Sequence, residues 1–121
     1  MKKTFLMLAP MLLLGPLAQA QRYADYRAPL PEIVEQHLDR LCREAYWTPG
    51  ERHRAADALK HLSNFDYRYR EGRFDRGQLD DSIGHVQDVI NHNRLNEGQR
   101  AMLWRDVEEL RAFRATRGRV Y

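Results

Sequence analysis

Beyond residue 20 the sequence has one cysteine, Cys42, one lysine, Lys60, and two serines, Ser63 and Ser82. A single cysteine excludes an internal disulfide, so any core must hold by packing alone. Neither serine stands in a Gly-x-Ser-x-Gly turn, and no glycine-rich loop follows a strand that could cradle a phosphate. Strand-like alternation is missing throughout. Past residue 20 there is no apolar run approaching the roughly 20 residues that a bilayer-spanning helix needs. Charge of one sign is also lacking. Once Lys2 and Lys3 are set aside, 18 basic residues stand against 17 acidic ones, a net charge near +1 that argues against nucleic acid as a partner.

The first twenty residues read as a secretory signal peptide. Lys2 and Lys3 supply the basic start, Phe5 to Leu14 is mostly apolar, and Ala18-Gln19-Ala20 is a small-x-small cleavage site before Gln21. The expected location is the periplasm or the cell exterior, with no stable membrane anchor after cleavage. Residues 21–30 read as an extended lead-in, and residues 31–121 as a single small domain.

That domain is punctuated by helix starts. Thr48-Pro49-Gly50-Glu51, Asp75-Arg76-Gly77-Gln78 and Asn96-Glu97-Gly98-Gln99 each place an oxygen-bearing residue three positions before Glu or Gln, the pattern of a capping box. Between them apolar residues recur at helical spacing. Val34, Leu38, Leu41, Cys42 and Ala45 mark a first helix beginning at Pro31, closed by Tyr46 and Trp47. Ala55, Leu59, Leu62, Phe65 and Tyr69 mark a second, running to Glu71 and stopping at Gly72. Leu79, Ile83, Val86, Val89 and Ile90 mark a third, and Leu103, Trp104, Val107, Leu110 and Phe113 a fourth. The expected fold is all-α, two helical hairpins closing as a small antiparallel four-helix bundle. A shift of 48 residues lays Gly50, Arg52, Leu62 and Phe65 on Gly98, Arg100, Leu110 and Phe113. Either a duplicated hairpin or two hairpins under the same capping rules produces that match.

Candidate sites are few. Cys42 lies on an apolar stripe, where burial is expected and a reactive thiolate is disfavoured. Asp80 with Asp81, and Glu108 with Glu109, are adjacent on helices and point apart, so the inventory does not favour an enzyme. His53, Asp57 and His61 share one helix face, and His85, Asp88 and His92 share another. Two such faces turned together would suit zinc or copper, although in a simple bundle the first face points to solvent as a plain charged surface. No other cofactor is indicated. From Phe65 to Phe74 rings alternate with guanidinium groups, and Tyr67, Arg68, Arg70 and Arg73 are the candidate contacts for a polypeptide partner; Phe65, Tyr69 and Phe74 are expected in the core.

Leu95-Asn96-Glu97-Gly98-Gln99 and Trp47-Thr48-Pro49-Gly50-Glu51 resemble the Leu-Thr-x-x-Gln repeats of the Spy and CpxP family of periplasmic helical proteins. Asn stands for Thr in one segment, and Trp and Glu stand for Leu and Gln in the other. The resemblance implies a cradle-like dimer acting as an envelope chaperone or stress sensor. The stretch from Gly72 to Leu95 also resembles small secreted bacterial helical proteins of unassigned function. Three readings follow: a non-catalytic envelope interaction protein with unfolded clients, a metal-binding or metal-responsive protein, and a structural module whose partner is a second copy of itself.

Overall fold

The structure, a computed structural model, describes residues 29–119. Residues 1–20, read above as a signal peptide, residues 21–28 of the expected lead-in and residues 120–121 lie outside the described residues. Four helices and no strand occur among the described residues: α1 Leu30–Glu44, α2 Pro49–Arg70, α3 Arg76–His92 and α4 Glu97–Thr116.

Each helix begins where local chemistry supplies acceptors for its free N–H groups. Thr48 accepts from Glu51 N at 3.2 Å while Glu51 Oε1 accepts from Thr48 N at 2.9 Å, a complete capping box. Asn96 and Gln99 repeat it at 2.8 and 3.0 Å. A cap of this kind is worth about 1 kcal/mol. The middle start is only half a box. Asp75 accepts from Gln78 N at 3.0 Å, but the Gln78 amide turns away to donate to His61. The Gln78 bond, with help from Arg68, holds the Asp75 carboxyl below the usual range. α1 starts one residue earlier than the proline rule predicts: Leu30 opens it, already buried, and Pro31 is second. It also stops sooner, at Glu44, so Ala45, Tyr46 and Trp47 form a linker rather than a last turn.

The helices pack in a ring. α1 touches α2 and α4, α3 touches the same two, and the backbones of α1 and α3, or of α2 and α4, do not meet. The core runs the length of this bundle, from Trp47 through Leu38, Leu62, Val86, Val107 and Leu110 to Phe65 and Phe113. Some buried positions coincide under the 48-residue shift (31 with 79, 34 with 82, 38 with 86, 41 with 89, 55 with 103, 58 with 106, 62 with 110 and 65 with 113), while others, such as 47 and 95, 51 and 99, or 35 and 83, are buried in one half only. Thus the two halves share part of their burial pattern as well as the caps at Thr48 and Asn96.

Of the stripe residues Trp104 departs furthest from expectation, and Cys42, Ala45, Leu59 and Tyr69 are only partly buried against the core. Trp104 is 38% exposed, because its neighbour Leu103 takes the inward position and adjacent helical residues diverge by about 100°. Cys42 is half-buried at the edge of the core, its thiol pushed up by that burial and so held in the unreactive form.

Candidate functional site

The two linkers that join α1 to α2 and α3 to α4 meet at one end of the bundle, and the contact is built around a buried carboxylate. Glu51 caps its own helix through Thr48 N, and its Oε2 accepts from Arg94 N at 2.6 Å. Its backbone carbonyl accepts from Asn93 Nδ2 at 2.9 Å. Arg94 sends one guanidinium nitrogen to Glu51 Oε1 at 3.3 Å and to Tyr46 O at 2.9 Å. Trp47 is buried and donates from Nε1 to Arg94 O at 2.9 Å, while Arg54 donates to Asn93 Oδ1 at 3.0 Å. The backbone N–H groups of Thr48 and then Arg94 hold the Glu51 carboxyl down at about 2, so it is ionised across the working pH range.

This network leaves a cleft of about 310 Å³ lined by Glu44, Ala45, Tyr46, Trp47, Arg94 and Gln99. Tyr46 stands on its rim with 96% of its surface exposed, the most exposed large hydrophobic residue described. The cleft therefore offers an aromatic ring, a guanidinium and an amide side by side. The sequence pattern placed Tyr46 and Trp47 at a helix end and gave them no role. The signal that marks them is their position just before a capping box, since that start fixes the linker from which Tyr46 projects.

The predicted metal-ligating residues are distributed differently from two opposed faces. His53 lies 3.5 Å from Asp57 and His92 lies 3.8 Å from Asp88, each pair on its own helix and open to solvent. Only His61 and His85 come together: their rings stack with centroids 4.2 Å apart and planes 13° from parallel. The Gln78 amide nitrogen lies 2.9 Å from His61 Nδ1 and donates to His61 O at 3.1 Å, which sets that imidazole's orientation. No group of three or more His, Cys, Asp or Glu gathers around one point among the described residues.

The ring-and-guanidinium run divides in two. Phe65, Tyr69, Phe74 and Phe113 pack as a cluster of edge-on and stacked rings. Of the outward members, Tyr67 is 67% exposed, but the three arginines are engaged within the chain. Arg68 pairs with Asp75, Arg70 with Glu32 and Asp66, and Arg73 with Glu71.

On the other flank of α1, His37 Nδ1 lies 2.8 Å from Asp106 Oδ2 of α4. Asp106 is buried, and that burial pushes its carboxyl up against the opposing pull of His37. This contact ties α1 to α4 by a polar link between the two helices.

No described helix is long and apolar enough to cross a membrane. No family model, curated protein or solved structure matches the chain. The likeness to the Spy and CpxP proteins therefore rests on the two capping segments alone.

Proposed function

We propose that this chain is an exported, non-catalytic binding protein of the bacterial cell envelope, its two hairpins closing as an antiparallel four-helix bundle, and that it engages segments of unfolded polypeptide. The observation that carries this reading is Tyr46, almost wholly exposed on the rim of a cleft whose walls include Trp47 and Arg94. An exposed ring gives a polypeptide apolar contact, while Arg and Gln beside it can bond main-chain carbonyls without demanding one sequence. The Tyr67 face is the weaker candidate, because its ring is less exposed than that of Tyr46, while Arg68, Arg70 and Arg73, like Arg94, are already paired with carboxylates. The near-neutral charge of residues 21–121 supports a polypeptide over nucleic acid. With residues 21–121 in near-stoichiometric amounts, a reduced, unfolded client should aggregate more slowly. Tyr46→Ala should remove at least half of that protection while leaving the melting temperature unchanged. Light scattering with an unchanged time course for the client, or full protection by Tyr46→Ala, would sink the proposal.

A metal-binding reading is favoured by one observation, the meeting of His61 with His85 between α2 and α3. Zinc or copper titration should then give saturable binding that is lost in His61→Ala and kept in His53→Ala. Heat signals that stay linear, or that survive His61→Ala, would dispose of it.

A further inference from the structure

Along the seam between α1 and α2, carboxylates outnumber their cation. Glu32 and Glu35 lie one turn apart on α1, and Asp66 and Arg70 one turn apart on α2. Arg70 serves two of the three acids, donating from Nη2 to Glu32 Oε2 at 2.8 Å and placing Nε 3.0 Å from Asp66 Oδ2. Glu35 Oε1 and Asp66 Oδ1 are sealed from solvent with no hydrogen-bond partner, and Asp66 as a whole is only 7% exposed. A buried ionised oxygen without a donor is unfavourable, and a second like charge nearby makes it more so.

The other hairpin solves the same seam differently. Under the 48-residue shift Glu32 falls on Asp80, Glu35 on Ile83 and Asp66 on Arg114. Asp80 and Arg114 form an ion pair there, and Ile83 is buried in the core. That seam has one acid, one cation and a hydrocarbon, where the first hairpin has three acids and one cation. A neutral side chain at position 35 would match the uncharged Ile83 and leave Arg70 two acids to serve instead of three.

We propose that Glu35 holds a proton in the folded chain and that losing it loosens α1 from α2, so that the bundle is tightest on the acid side of neutrality. This goes beyond the binding reading and does not depend on any ligand. The charges that bear on Glu35 are Asp66 and Arg70 from α2 and Glu32 from its own helix. From α4, which packs on the other flank of α1, the buried charge facing the helix is Asp106, already joined to His37. Burial first, then Asp66 and Glu32, push the Glu35 carboxyl from its ordinary 4.5 up to about 7, against the pull of Arg70. Because the folded value is raised, the folded chain keeps a proton that the unfolded chain gives up. Its contribution to stability is complete below about pH 4.5, falls away up to about pH 7 and is gone above that. Loosening this seam would uncover the stripe of Val34, Leu38 and Leu41 that α1 buries.

Urea unfolding of the protein from pH 5 to pH 8 tests the proposal. The folding constant of the wild type should fall ~10-fold across that range, a figure discounted for the partial exposure of Glu35. Glu35→Gln should remove most of that fall and leave the variant more stable than the wild type at pH 8. Parallel profiles for the two proteins would overturn the proposal. If Glu35→Gln folds poorly, the side-chain carboxyl of Glu35 in the wild type can be followed directly by carbon NMR. A midpoint above pH 6 that drops in Asp66→Asn supports the proposal, and a midpoint near the ordinary carboxylate value rejects it.

Discussion

Replacing Phe65 by alanine should lower the stability of the bundle by about 3–5 kcal/mol, the usual cost of removing a buried ring. Phe65 has no exposed surface and meets three other rings: Phe74 edge-on at 5.4 Å, Phe113 edge-on at 6.0 Å and Tyr69 stacked at 5.8 Å. These come from α2, α4 and the turn between α2 and α3, so the ring ties α4 to α2 and to the turn that follows it. No small movement fills the space it leaves, because its neighbours touch one another as well. Small domains have total stabilities of only about 5–15 kcal/mol, so this variant should be near the edge of folding at room temperature. Urea titration at fixed pH measures the loss directly. A decrease under about 1 kcal/mol would show that the ring cluster is not the centre of the core.

Gly118→Ala should be the next most damaging change, at about 2 kcal/mol or more. α4 ends with two consecutive left-handed residues, Arg117 at φ 55° and Gly118 at φ 77°. Gly118 N donates to Phe113 O at 2.9 Å, which folds the chain back over the ring cluster. A methyl group at position 118 meets the Tyr69 hydroxyl head-on and lies 3.0 Å from Phe113 Cζ and Tyr69 Cζ. The left-handed backbone contributes ~1 kcal/mol of the expected loss and the crowding contributes ~1 kcal/mol or more. For a domain of this size the melting temperature should fall by roughly 8 °C or more. Gly84→Ala is the matched control, since it lies in mid-α3 with nothing within 4 Å of the added carbon. If both substitutions change the melting temperature equally, the packing over Gly118 is not holding the helix end.

What the sequence made legible was local. The caps at Thr48, Asp75 and Asn96 involve residues three apart, and the stripes of α3 and α4 repeat every three or four, so helix number and most of the core could be read directly. Interactions that cross the chain could not. Glu51, Asp66 and Asp106 look like surface acids in the sequence, yet each is buried, and each has a polar contact on another helix or linker or an unpartnered oxygen against one. The His61 and His85 faces were legible as faces, but their single point of contact depends on Gln78, whose expected role was to close a capping box. Tyr46 is the clearest case at the candidate site. Helical periodicity runs on through it, and only the early stop of α1 at Glu44 turns it into an exposed linker ring.

The bond from Arg94 to the Tyr46 carbonyl joins two residues 48 positions apart, which the half-chain shift makes equivalent. The two linkers therefore meet directly at one end of the bundle, and the turn at 71–75 tethers one hairpin to the other. Such a tether makes the meeting of the halves intramolecular, at an effective concentration in the millimolar range for a short link. It also frees the halves from having to match. Ion pairing by Glu51 with Arg94 needs no copy on the Gln99 and Tyr46 side, and one hairpin can carry Glu35 where the other carries Ile83.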